Sequence, residues 1–191
     1  IAGLSRTNLL NRLSFEKEAV TLSLGNIQRI VLTQNAGEEE VLISTPAFLE
    51  AIDAHTGASF LRTLDPSFAL GVHVFDGNQP FFIFKTNFYE NAFAGMLAWE
   101  SFLYDDLVPL FGEAMQLTQD STEATTTTTS LAPPTFKDLV IRNKDTRALS
   151  DKNGKVVLLY SFVDRNTLIV TTNEHTFTEV FTRLSGTRVV R

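Results

Sequence analysis

Three histidines, two carboxylate clusters and one Asp/Asn/Gly turn are the places where this chain of 191 residues could do chemistry. His55, His73 and His175 lie far apart, and none belongs to an H-x-x-x-H or H-E-x-x-H pattern, the spacing that turns two imidazoles toward one metal ion. His73 stands mid-strand on the side opposite Val72 and Val74, where a half-buried, hydrogen-bonded role is expected. His55, in DAHTGA, reads as loop, and His175 as the exposed start of the last helix. A Ser-His-Asp set is recognised by geometry rather than chain order, so a hydrolase would need His73 or His55 to meet a serine and a carboxylate in space. Glu38-Glu39-Glu40 reads as a solvated loop. Asp105-Asp106 sits near a helix end, with no sign of the burial that separates the pKa values of catalytic carboxylates. The turn DKNG (151–154) lacks the acidic ladder of a calcium loop, whose twelfth position is here Phe162, and reads as a hairpin turn with Gly154 left-handed. Gly154-Lys155 runs on into Val156, which is no phosphate loop, and Ser59 lacks the flanking glycines of a nucleophile elbow. No catalytic, cofactor-binding or metal-ligating residue is therefore expected, and the chain reads as a non-enzyme.

Composition narrows the partners. The net charge is −6 with a pI near 5.1, the wrong sign for holding a phosphate backbone, so no nucleic acid is expected. The charge is unevenly placed: residues 1–130 carry 6 basic and 16 acidic groups, and residues 131–191 carry 10 basic and 6 acidic. Either the C-terminal part offers a basic patch, or the two parts face one another. The second reading is preferred. The absence of cysteine removes disulfides and thiolate chemistry and is compatible with an extracytoplasmic setting. The sixteen phenylalanines read first as core and second as the lining of a ligand pocket. No apolar run approaches the roughly 20 residues that span a bilayer. The chain opens on Ile1, which leaves room for an upstream segment.

The elements that would position these groups follow from periodicity. Leu9, Leu10 and Leu13 predict a short amphipathic helix, EAVTLSL (18–24) a strand, and NIQRIVLTQ (26–34) either a helix or a strand. VLIST (41–45) reads as a strand, Pro46 as a helix start, and ASFLRTL (58–64) as a second short helix. A hairpin follows: FALGVHVF (68–75), the turn Asp76-Gly77, and PFFIFKT (80–86), too apolar for a half-exposed strand and so central in its sheet. Asn87 and Glu90 predict a capping box for a helix running to about Asp105. The helical stripe Tyr89, Ala92, Phe93, Met96 returns 88 residues later as Phe177, Val180, Phe181, Leu184, after a second hairpin. The fold class is thus α+β: an antiparallel sheet built from two related β-hairpin-plus-helix units (68–105 and 153–185) with helices packed on it. One domain, 1–191, is expected, its two units sharing one continuous interior across a long Thr/Pro-rich loop (119–135). Trp99, with Phe102 and Leu103, reads first as core closure; its helix shoulder is also the best interface expectation.

Residues 71–100 and 136–174, GVHVFDGNQPFFIFKTNFYENAFAGMLAWE and FKDLVIRNKDTRALSDKNGKVVLLYSFVDRNTLIVTTNE, resemble a group of uncharacterised membrane-anchored envelope proteins of candidate phyla radiation bacteria. The resemblance spans about the C-terminal two thirds. It implies a domain outside the cytoplasm that follows a proline-rich segment and one membrane-spanning helix, with no catalytic residues to carry over. The function expected is a non-catalytic extracytoplasmic interaction or assembly domain, with protein or another envelope component as partner and membrane contact only through a segment absent from this chain. The alternative is a small-ligand-binding or sensory module with a Phe-lined pocket. No cofactor is expected.

Overall fold

The hairpin at Asp76-Gly77 closes with both residues at positive φ, 48° and 93°, but the pairing of Val74 with Asn78 makes the loop three residues long, 75–77, rather than the two expected. It joins β4 (Leu64–Val74) to β5 (Asn78–Thr86). In this computed structural model, which describes residues 5–36, 39–111, 135–151 and 153–186, that pair forms part of a seven-stranded sheet. The other strands are β1 (Ile27–Ile30), β6 (Lys137–Ile141), β7 (Lys144–Ser150), β8 (Val156–Asp164) and β9 (Thr167–Thr171). The order is β1-β4-β5-β9-β8-β7-β6, every neighbouring pair antiparallel. A separate hairpin pairs β2 (Thr33–Ala36) with β3 (Glu39–Leu42). The helices are α1 (Arg6–Glu18), α2 (Thr45–Ala51), α3 (Ala58–Leu61), α4 (Tyr89–Phe111) and α5 (Glu174–Gly186). The fold is α+β with helices packed on an antiparallel sheet.

The central strands are apolar on both sides because both sides are covered. In β5, Phe82 and Phe84 join the core under α1, α2, α3 and α4, while Phe81 and Ile83 join a second core under α5. Leu168 and Val170 of β9 alternate with Ile169 in the same way. This corrects the expectation of one shared interior: the two β-β-α units lay their helices on opposite faces, and the sheet separates two apolar clusters. Each helix leaves its strand through two residues, Asn87-Phe88 and Thr172-Asn173, so the face is chosen by how those residues turn rather than by linker length.

Local starts and stops differ from the sequence reading in several places, among them β3, which opens at Glu39 in the stretch read as loop, and β4, which opens at Leu64 in the stretch read as a short helix. Residues 19–24 form no strand; the chain enters the sheet at Asn26, where the Gly25 and Val74 N–H groups bond the Val74 and Asn26 carbonyls. The Asn78 side chain instead donates to the carbonyls of Lys17, in the last turn of α1, and of Val20, just past it, at 2.9 and 3.0 Å. The segment 26–34 resolves into the two strands β1 and β2. Helix α4 runs on through Pro109 to Phe111, and no capping box opens it: the Asn87 N–H donates to the Thr63 carbonyl and Glu90 pairs with Arg165. The equivalent cap does form in the second unit, where Asn173 Oδ1 accepts from the Thr176 N–H at 2.8 Å. Residues 119–134 of the Thr/Pro-rich stretch, and Glu38, lie outside the described residues.

Candidate binding cleft

One row of side chains across the sheet shows how the site is built. Through consecutive strand partners on the α4 face it reads Leu70, Phe82, Val170, Tyr160, Arg147, Asp138. The apolar members are the floor beneath α4. The row turns polar at Tyr160 and charged at Arg147, where α4 no longer covers the sheet. Glu100 of α4 meets this transition and binds it from above. Its carboxylate accepts from Arg147 Nε and Nη2, both at 2.8 Å, and from the Tyr160 hydroxyl at 2.6 Å; Arg147 Nη1 donates to Asp138 at 3.0 Å. The two carboxylates hold the Arg147 pKa above even its ordinary high value, the Glu100 bond contributing most. Burial, then Glu100, pushes the Tyr160 phenol well above its ordinary value, so it stays a neutral donor.

Beyond Glu100, between the first turns of α4 and strands β6 to β8, lies an open cleft of about 870 Å³. Tyr89 and Phe93 of α4 form one wall. Tyr89 meets Phe162 edge-on, ring centroids 5.2 Å apart, and Phe93 packs at 6.1 Å. The next row of the floor holds Val140 opposite Asp145, which the register of Thr146 with Ser161 sets beside Phe162. Val140 is 66% exposed although its strand neighbours Leu139 and Ile141 pack on the opposite face. Arg165 closes one end, stacked over Tyr89 at 5.4 Å and paired with Glu90. The pairs Glu100–Arg147 and Glu90–Arg165 each join the acidic first part of the chain to the basic last part. Other ion pairs stay within one part, Arg12–Glu16 in the first and Arg147–Asp138 and Arg183–Glu179 in the last.

The sequence-derived interface residues are divided by the fold. Trp99 is 1% exposed and Leu103 0%, both in the core cluster, so neither can meet a partner. Their helical spacing points them at the sheet and at Phe60 of α3, whose ring lies 5.9 Å from the indole. Only Phe102 reaches the surface, and its ring stacks on His55 at 4.8 Å. The phenylalanines are mostly core: Phe48, Phe68, Phe82, Phe84 and Phe111 pack ring against ring rather than around a void.

A second polar constellation was hidden in the sequence. Asp106 is 1% exposed, against the expectation of an unburied carboxylate. It accepts from Trp99 Nε1 at 2.6 Å, from the His55 N–H at 2.8 Å and from His55 Nδ1 at 2.7 Å. A charged acceptor flanked by three donors is a stable way to bury a carboxylate, and it ties the 54–57 loop to α4. The Asp106 bond raises the His55 pKa above its ordinary value. His73, by contrast, is buried beside Thr176 Oγ1 at 3.0 Å, and burial lowers its pKa. His175 is exposed and stacks on Phe75. Asp151 organises the DKNG turn by accepting from the Asn153 and Lys155 N–H groups, with Gly154 at φ 80° as expected.

A second cleft, of about 890 Å³, opens at the far end of β5 and β9; Lys17, Asn78, Lys155 and His175 line it with Asp76 and Glu18. Of its two lysines, Lys17 pairs with Glu18 at 2.9 Å and lies 3.5 Å from the Phe111 carbonyl. No helix among the described residues is long and apolar enough to cross a membrane. No family model, no curated protein and no solved structure matches the chain.

Proposed function

We propose that the protein is a non-catalytic interaction or assembly domain, carried outside the cytoplasm by a membrane-anchored envelope protein, and that the cleft between α4 and β6–β8 is its binding surface. The observation that supports this most is Val140: an apolar side chain, two-thirds exposed, on an edge strand and beside aromatic rings. Soluble folds ordinarily blunt such an edge with charge or cover it. The envelope setting draws its support from the resemblance in residues 71–100 and 136–174. The test is capture of partners from the native envelope fraction by the wild-type chain, by Val140→Arg and by Phe15→Ser, a change at an exposed phenylalanine away from the cleft. A partner retained by the wild type and Phe15→Ser but lost with Val140→Arg supports the reading. Identical captured sets from all three chains refute it.

A small-ligand module is the second reading. The cleft lies within the roughly 300–1,000 Å³ of small-molecule sites, and its lining mixes rings with polar groups. The ligand would sit against Tyr89, Phe93 and Phe162, not in a pocket made of core phenylalanines.

A further inference from the structure

Resting on the interaction reading above, we infer that the cleft receives an extended peptide segment that pairs along β6 and carries a basic side chain. The first ground is charge. The two arginines at the cleft are already engaged by Glu100 and Glu90. Lys144, at its rim, turns its ammonium over the Phe181 ring of α5 on the other side of the sheet, 5.4 Å from the centroid. What remains is acidic. The Asp145 carboxylate is exposed and bonds no described residue, and Asp138, 91% exposed, meets only Arg147 Nη1. Two such carboxylates on neighbouring rows, Asp145 level with Phe162 and Asp138 level with Tyr160, form a setting that favours an ammonium or guanidinium.

The second ground is the edge. Among the described residues β6 pairs with β7 alone, so its outer backbone groups can hydrogen-bond an added strand. Alternate residues of that strand would face the α4 side. Asp138 and Val140 are two residues apart on that side of β6. An added strand that keeps the antiparallel sense of every other pair in this sheet therefore carries an apolar residue level with Val140 and, two residues on, a basic residue level with Asp138, in an apolar-x-basic order.

The probe is a capped pentapeptide of sequence TVTKT, with TVTET as charge control and N-acetyl-lysine amide as a free cation without a strand. Each is titrated into the full chain while the backbone amide resonances of residues 137–141 are followed. The inference expects TVTKT to shift those resonances, TVTET and the free cation to bind at least about tenfold more weakly, and Asp145→Asn or Asp138→Asn to weaken TVTKT by about threefold or more. Equal binding of TVTKT and TVTET overturns the charge assignment, and equal binding of the free cation overturns strand pairing. No shift in residues 137–141 with either peptide overturns the whole inference. Loss of a captured partner with Val140→Arg would still support the broader interaction reading in each of these cases, so the two failures are distinguishable.

Discussion

Replacing Asp106 with alanine should destabilise the fold by about 1–3 kcal/mol, and the figure follows from the fate of three donors. The Trp99 indole N–H has no access to water, since the residue is 1% exposed, and its only acceptor within the described residues is Asp106. An unsatisfied buried donor costs about 1–3 kcal/mol. The His55 N–H and Nδ1 lie at the protein surface and can turn to water, so their loss adds little. Against these losses, removing the carboxylate relieves the desolvation of a buried charge, which keeps the total below the roughly 3–5 kcal/mol of breaking a buried ion pair. Asp106→Asn should cost less, about 1–2 kcal/mol, because its amide oxygen can still accept from the indole while its NH₂ donates to Nδ1 of the other His55 tautomer. The assay is urea unfolding of the three chains, in which the midpoint should fall in the order wild type, Asp106→Asn, Asp106→Ala with little change of slope. An Asp106→Ala chain within about 0.5 kcal/mol of wild type would refute the reasoning, because it would mean the indole is satisfied elsewhere.

Further consequences are equally specific. His55 and His73 should give stability opposite dependences on pH. The raised pKa of His55 contributes stability that is complete below its unfolded value of about 6.5 and lost as pH rises through the folded value. The lowered pKa of His73 instead removes stability as pH falls below about 6.5. Urea midpoints between pH 5 and 8 should lose the acid limb in His73→Gln and the alkaline limb in His55→Gln; unchanged profiles would contradict the assignments. Glu100→Ala should cost about 2–3 kcal/mol, with Arg147 retaining only Asp138 and the Tyr160 hydroxyl losing its acceptor, whereas Glu90→Ala, in an exposed pair, should cost about 0–1 kcal/mol by the same assay. Gly95→Ala should destabilise although alanine is the better helix former by about 1 kcal/mol. Its Cβ would stand 2.4 Å from Phe60 Cδ2 and 2.7 Å from Phe60 Cβ, so α3 must move off α4, at about 1–3 kcal/mol in thermal or urea unfolding.

The amino-acid order alone carried the element types wherever a local pattern was strong. The run PFFIFKT placed β5 at the centre of its sheet, since only a strand covered on both faces is apolar throughout. The Asp76-Gly77 and DKNG turns were legible because positive φ is a property of a few residue types. The stripes of α4 and α5 were legible because helical period shows in any window of two turns. Periodicity, however, is blind to what a stripe faces. Trp99, Phe102 and Leu103 follow one another within two turns, and only the packing of α3 and the sheet buries two of them and leaves the third outside. The same limit hid Asp106, whose burial depends on a loop 51 residues earlier in the chain bringing two donors to it. The cleft was equally invisible. The uneven charge hinted that the two parts of the chain face one another, but strand register decided that Val140, Asp145 and Phe162 share a row beyond the edge of α4. Local sequence sets turn, period and alternation because these depend on neighbouring dihedrals. The face each helix covers, the burial of a carboxylate and the bare end of the sheet depend on contacts between distant residues, and these exist only once the strands have paired.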